Sequence, residues 1–135
     1  MKSLFLHYLV SRLGFLALDA AWLGIMGSAL YRPQLGNLML EKFLLAPAIA
    51  FYLIYPIGIT VFAVGPALQA ASGAIALGHG LLLGFLAYST YNLTNMATVR
   101  GWSPLVTVID IGWGSAATGA AALACFWILR LLGKG

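Results

Sequence analysis

The sequence predicts an all-α membrane protein in which four transmembrane helices form an up-and-down bundle. Of its 135 residues, 62% are hydrophobic and only 7% are charged, whereas a soluble domain carries about 25% charged residues. A helix that crosses the roughly 30 Å hydrocarbon core of a bilayer needs about 20 apolar residues, and four stretches meet this requirement. They fall at about 4–28, 43–64, 73–96 and 104–131. Because the connections between them are short, we expect a single domain over 1–135.

The first span follows Lys2, an arrangement that is similar to a secretory signal peptide. However, Arg12 interrupts the apolar run, and the run continues beyond the roughly 7–15 residues of a signal sequence. We therefore expect the first span to be retained. Pro33 disfavours helical geometry at Arg32, which predicts that the first helix ends before a connection at residues 31–36.

The second span contains prolines at two depths, with Pro47 in its first turns and Pro56 in its interior. Pro56 has no N–H to donate to the carbonyl of Tyr52, so we expect a kink there. The pair Gly65-Pro66 predicts the end of this span.

The third and fourth spans are rich in small residues. Gly80 and Gly84 form a G-x-x-x-G pattern, which lets another helix backbone approach closely, and Gly73 and Ala87 lie on roughly the same face. The fourth span has small residues at Gly112, Ala116, Gly119 and Ala120. We therefore predict a tightly packed antiparallel pair, with the single cysteine, Cys125, as a small packing residue.

The net charge of +4 does not indicate nucleic-acid binding, because six of the seven basic residues lie at or near span ends, where they anchor helices at the membrane surface. Lys2, Arg130 and Lys134 fall on one side, and Arg32, Lys42 and Arg100 fall on the other. This tie leaves the membrane orientation open.

The two histidines, His7 and His79, lie near the starts of two spans that run parallel. That placement is the minimum for a bis-histidine haem, but isolated histidines usually only form hydrogen bonds. The sequence has no further haem signal, no histidine-rich metal set and no recognisable nucleophile–base spacing. We therefore predict no cofactor and no metal site, and catalysis is not favoured.

Two of the three acidic residues lie inside spans. Asp19 and Asp110 each begin a D-x-x-W pattern that ends at Trp22 and Trp113. A carboxylate in the middle of a span costs roughly 2.5–3.5 kcal/mol, so the pattern indicates a polar interior. Such an acid either marks an ion, proton or substrate path or accepts hydrogen bonds that fix helix packing, and the sequence leaves both open. Because the shared pattern covers few residues, internal duplication is not favoured.

A second polar set occupies the end of the third span. Tyr88, Asn92 and Asn95 follow the i, i+4, i+7 spacing that places them on one helical face. At 1.5 Å per residue, Asp110 and Asn92 fall about 10 Å from mid-membrane, whereas Tyr88 and Asp19 lie within roughly 3–5 Å of it. The two aspartates are therefore expected to have different roles.

These positions predict a polar funnel that opens at one membrane surface and ends near Asp19. We expect Trp22 and Trp113 to wall the cavity, and Arg32, Arg100 and Trp102 to lie at its entrance. The candidate ligand-binding residues are Asp19, Trp22, Tyr88, Asn92, Asn95, Asp110 and Trp113.

Several sequence blocks carry a family resemblance. They are D-x-x-W-L-G from Asp19, F-Y-L-I-Y at 51–55, A-Y-S-T-Y-N-L-T-N-M-A-T at 87–98 with G-W at 101–102, and D-x-x-W-G from Asp110. Through these blocks nearly the whole chain resembles the bacterial DUF2177 family of predicted membrane proteins. The resemblance implies a location in the bacterial cytoplasmic membrane. The family more usually has Asp where this chain has Asn92. This departure argues against a mechanism that needs an ionisable group at 92, and it leaves a hydrogen-bonding role intact.

The leading functional hypothesis is a binding or accessory protein whose funnel holds a small amphipathic or lipid-like molecule. A proton-coupled carrier or channel is an alternative, in which Asp19 and Asp110 take up and release protons. A structural subunit of a larger membrane complex is another. The expected partners are membrane lipids, together with the ligand or complex that each hypothesis requires.

Overall fold

A computed structural model describes residues 2–39 and 44–133, and within them the chain is helical with no strand. Four helical spans are long and apolar enough to cross a membrane: Phe5–Leu35, Leu45–Ala70, Gly73–Thr98 and Pro104–Leu131. The shortest have 26 residues, and at 1.5 Å per residue each exceeds the roughly 30 Å hydrocarbon core. The all-α prediction is therefore confirmed. The predicted start of the second span at residue 43, and Lys42 beside it, lie outside the described residues.

The first span continues beyond the predicted break. It consists of α1 (Lys2–Met26), a π-helical segment (Gly27–Tyr31) and α2 (Arg32–Leu35), and a 3₁₀ turn (Gly36–Leu38) follows. Arg32 is helical, with φ −63° and ψ −47°, and its N–H bonds to Gly27 five residues earlier. A π turn is wider than an α turn, so it moves the preceding carbonyls away from the ring of Pro33. The prediction that the helix ends before Arg32 was wrong for this reason.

The second span repeats the same arrangement. It consists of α3 (Leu45–Ile59), a π-helical segment (Thr60–Val64) and α4 (Gly65–Ala70). The Gly65 N–H bonds to the carbonyl of Thr60, and Pro66 follows without ending the helix. The predicted stop at Gly65-Pro66 was therefore also wrong. Pro56 lies inside α3, and the Thr60 hydroxyl at the start of the π-helical segment donates to the Pro56 carbonyl at 2.8 Å. The kink expected at Pro56 stays a prediction.

The third and fourth spans, α5 (Gly73–Thr98) and α6 (Pro104–Leu131), pack backbone to backbone. A Cβ atom on Gly80 would lie 2.8 Å from the Cα of Gly119, and one on Gly84 would overlap the carbonyl oxygen of Gly114. Both positions are far inside van der Waals contact, so only glycine fits. The G-x-x-x-G prediction is confirmed.

The face of α6 that meets α5 differs in part from the predicted one. Gly119 lies at the interface, but Gly112 faces open space, and Ala116 and Ala120 are exposed. Besides Gly119, the α6 residues that approach Gly80 and Gly84 of α5 are Gly114, Ser115, Thr118 and Ala122. The predicted series at 112, 116 and 120 lies two residues from the series at 114, 118 and 122, which is about 200° around an α-helix. It therefore faces the other way.

In the bundle, α6 lies between α1 and α5, and α3 packs chiefly on α1. The π-helical segment at Thr60–Val64 contacts α1, α5 and α6, so the second span joins the core through its second half. The core includes Phe15, Ile59, Ala117, Cys125 and Phe126. Cys125 is buried there, as expected.

Candidate functional site

The two D-x-x-W patterns meet across the contact between α1 and α6. Asp19 is only 6% exposed. Its Oδ1 accepts a hydrogen bond from Trp113 Nε1 at 3.2 Å, and its Oδ2 accepts one from the hydroxyl of Tyr52. The acid of the first pattern is therefore bonded to the tryptophan of the second.

Asp110 is held by a different pair of donors. The Tyr31 hydroxyl donates to its Oδ1 at 2.5 Å, and Asn92 Nδ2 donates to its Oδ2 at 2.7 Å. Trp22 Nε1 donates to the same Tyr31 hydroxyl at 2.8 Å. The tryptophan of the first pattern thus reaches the acid of the second through Tyr31.

The indoles of Trp22 and Trp113 join the two halves. Their rings stack with centroids 4.3 Å apart and planes inclined by 7°. Stacked aromatic faces bury a large apolar area and leave the indole N–H groups at the ring edges free to donate. We call the resulting set the aspartate network: Asp19, Trp22, Tyr31, Tyr52, Asn92, Asp110 and Trp113.

Neither aspartate of this network forms an ion pair with a described residue; each accepts one hydrogen bond on each carboxyl oxygen. Arg12 lies seven residues before Asp19, about 10 Å along the helix, and the fully buried ring of Phe15 lies between them in the sequence. The carboxyl groups are thus held by neutral donors.

Asn92 carries an unpaired oxygen. Its side chain is 0% exposed, and its two Nδ2 protons go to Asp110 and to the Tyr88 carbonyl at 2.9 Å. Both of those partners are acceptors, so the amide orientation is fixed. Its Oδ1 then has no hydrogen-bond partner in the described part of the chain. A buried acceptor without a partner costs about 1–3 kcal/mol.

Tyr88 lies one turn before Asn92 and is only partly buried. Its ring packs directly on Gly114, where a Cβ atom would overlap the Tyr88 ring. It meets the ring of Tyr55 edge-on, with centroids 6.2 Å apart. No described residue hydrogen-bonds its hydroxyl, which lies within electrostatic range of both Asp19 and Asp110.

The predicted entrance residues lie at or beyond the ends of their spans, at the same end of the bundle. Arg32 and Arg100 are exposed. Trp102 packs edge-on against Tyr91 at 5.7 Å, and its Nε1 is buried with no partner among residues 2–39 and 44–133. Asn95 is partly buried beside the Tyr91 hydroxyl. Of the candidate ligand residues, Asn95 alone lies apart from the others.

Two members of the network were not among the sequence candidates. Tyr31 was assigned to a connection, because no local signal reveals the π-helical segment that carries it inward. Tyr52 belongs to the F-Y-L-I-Y block, and its three-residue spacing from Tyr55 places both on one face. That spacing could have indicated an inward polar face on the second span.

The described residues contain no group of three or more His, Cys, Asp or Glu side chains that could hold a metal ion. A family model described as a predicted membrane protein, DUF2177, matches residues 4–127. No curated protein and no solved structure matches the chain.

Proposed function

This chain belongs to the DUF2177 family of predicted membrane proteins, and from that premise we propose that it binds an amphipathic, lipid-like molecule inside the membrane. The polar group of this molecule is held at the aspartate network. The protein then acts as a binding or accessory protein in the bacterial cytoplasmic membrane, with membrane lipids as its surroundings and the source of its ligand.

The observation that carries this proposal is a pair of polar groups without partners. Tyr88 precedes Asn92 by one helical turn. The buried Asn92 Oδ1 has no partner in the described part of the chain, and the hydroxyl of the partly buried Tyr88 is not hydrogen-bonded to a described residue. Polar groups inside a membrane protein are normally satisfied, because lipid offers no hydrogen bonds. A ligand that bonds to both groups would satisfy them.

The packing of the second span supports access from the lipid. α3 packs chiefly on α1 and less on α5, and Tyr88 is only partly buried, whereas Asn92 beyond it is fully buried. Tyr55 bridges this region by its ring contact with Tyr88, and Phe51 beside it is 38% exposed. An alkyl chain would lie along this aromatic surface with its polar end toward Tyr88.

The geometry supports the two alternatives less well. A proton carrier needs groups that pass protons between Asp19 and Asp110. The two hydrogen-bonded halves of the network, however, are joined by the stacked faces of Trp22 and Trp113, and aromatic faces do not transfer protons. A pH-gradient-driven flux in vesicles that Asp19→Asn abolishes would favour the carrier instead. A structural subunit needs a protein-binding face, and the exposed apolar side chains are equally suited to lipid.

Tryptophan fluorescence tests the proposal, because Trp22 and Trp113 lie in the site. Trp102→Phe and Trp127→Phe together remove the other two tryptophans. In phosphatidylcholine nanodiscs, an alkyl alcohol with a terminal bromine should quench the remaining fluorescence and reach saturation. Adding Tyr88→Phe should raise the half-saturating mole fraction about five-fold, the equivalent of one lost hydrogen bond of about 1 kcal/mol.

Tyr8→Phe is the matched control, since it removes a tyrosine hydroxyl that donates to the Leu53 carbonyl outside the site. It should leave the titration unchanged. Quenching that rises linearly without saturation, or that Tyr88→Phe and Tyr8→Phe alter equally, would contradict ligand binding at the aspartate network.

A further inference from the structure

We infer that the polar group held at the aspartate network is a primary ammonium, the head group of an amine-bearing amphiphile. This inference rests on the proposed function and narrows its ligand class. It follows from counting the hydrogen-bond donors and acceptors that the network leaves over.

The donors of the network are spent. The indole N–H groups donate to Tyr31 and Asp19, and the hydroxyls of Tyr31 and Tyr52 donate to the two carboxyl groups. Both side-chain protons of Asn92 are also used. Within the network only acceptor capacity remains, chiefly the Oδ1 of Asn92 and the second lone pairs of the carboxyl oxygens. The Tyr88 hydroxyl beside the network can still donate or accept.

The unpaired Oδ1 lies near a carboxyl group. Because Oδ1 and Nδ2 belong to one planar amide and Nδ2 donates to Asp110 at 2.7 Å, Oδ1 is within about 5 Å of that carboxyl oxygen. A carboxyl group that accepts donors on both oxygens has the bonding pattern of a carboxylate. A group that offers several N–H donors and a positive charge therefore matches both neighbours.

An ammonium also supplies the charge that the site lacks. Neither Asp19 nor Asp110 has a cationic partner among the residues described, and charges inside a membrane are normally paired. Phosphate and carboxylate groups would bring further negative charge and further acceptors. The Tyr88 hydroxyl, which can accept or donate, would take one of the remaining N–H groups.

Three bromoalkyl probes with the same tail and different head groups test this inference: an ammonium, an alcohol and a carboxylate. Half-saturation is compared as mole fraction in the membrane, so differences in partitioning cancel. The ammonium should half-saturate the Trp22 and Trp113 quenching at a mole fraction about ten-fold below the alcohol, with the carboxylate weakest. Asp110→Asn should abolish this preference, so that the ammonium and alcohol probes half-saturate at about the same mole fraction. Tyr8→Phe should leave the preference unchanged.

The outcomes separate the two proposals. If no probe saturates, the proposed function fails. If the alcohol or the carboxylate saturates as readily as the ammonium, or if a folded Asp110→Asn variant keeps the preference, the ammonium assignment alone is wrong. Competition by phosphatidylethanolamine in the nanodisc identifies a lipid head group as the source, and competition by ethanolamine from the buffer identifies a soluble amine.

Discussion

At the scale of single residues, Tyr31 connects the two halves of the site. Its hydroxyl accepts from Trp22 and donates to Asp110, so one oxygen satisfies a partly buried indole and a partly buried carboxyl group. Removing a hydroxyl that serves two such partners costs more than removing one with a single partner, because both partners lose their bond. The network therefore also fixes the register of α1 against α6.

Tyr31→Phe should lower the free energy of unfolding by about 2–4 kcal/mol, because it leaves Trp22 Nε1 and Asp110 Oδ1 unpartnered. Tyr8→Phe, which removes a hydroxyl bonded to the Leu53 carbonyl, should cost about 1 kcal/mol or less. Unfolding in mixed micelles with increasing sodium dodecyl sulfate measures both. Equal losses of unfolding free energy for the two variants would contradict the stabilising role of the Tyr31 bridge.

At the scale of elements, a π-helical segment precedes a proline in both of the first two spans. Gly27–Tyr31 precedes Pro33, and Thr60–Val64 precedes Pro66. In each case the wider turn accommodates the proline ring, so a residue pattern typical of a helix end continues as helix. The extra residue per turn also rotates the later residues around the helix axis, and this rotation carries Tyr31 toward Asp110.

The packing of α5 on α6 gives a prediction with an internal control. Gly84→Ala would make a Cβ atom overlap the Gly114 carbonyl oxygen, whereas Gly78→Ala meets nothing within 4 Å. Gly84→Ala should destabilise the protein by about 1–3 kcal/mol or more, as overpacking does. Gly78→Ala should be neutral or stabilising by up to about 1 kcal/mol, since alanine favours helix over glycine. The same micelle unfolding experiment measures both variants. A Gly84→Ala variant as stable as the unmodified protein would contradict the close approach of α5 to α6 at Gly114.

At the scale of the whole molecule, composition and span length predicted the four-helix membrane fold. The bilayer requires apolar side chains on a spanning helix and sets its minimum length, so both features are visible in the sequence. The buried acids predicted a polar interior for the same reason, and the site candidates Asp19, Trp22, Asn92, Asp110 and Trp113 do bond or stack together. Tyr31 could not be placed, because π-helical turns have no sequence signature and shift every later residue around the helix. The facing side of α6 was predicted only in part, because small residues occur on several of its faces.

The most direct test of ligand binding at the aspartate network observes the Asn92 side chain itself. Selective ¹⁵N-asparagine labelling gives side-chain amide signals from only Asn37, Asn92 and Asn95, so NMR in nanodiscs can resolve each one. Titration with an alkylammonium should shift the Asn92 signal to saturation and give nuclear Overhauser contacts from its amide protons to the methylene beside the ammonium. An Asn92 signal that stays unchanged while the nanodisc is saturated with the amine would contradict a binding site at the aspartate network.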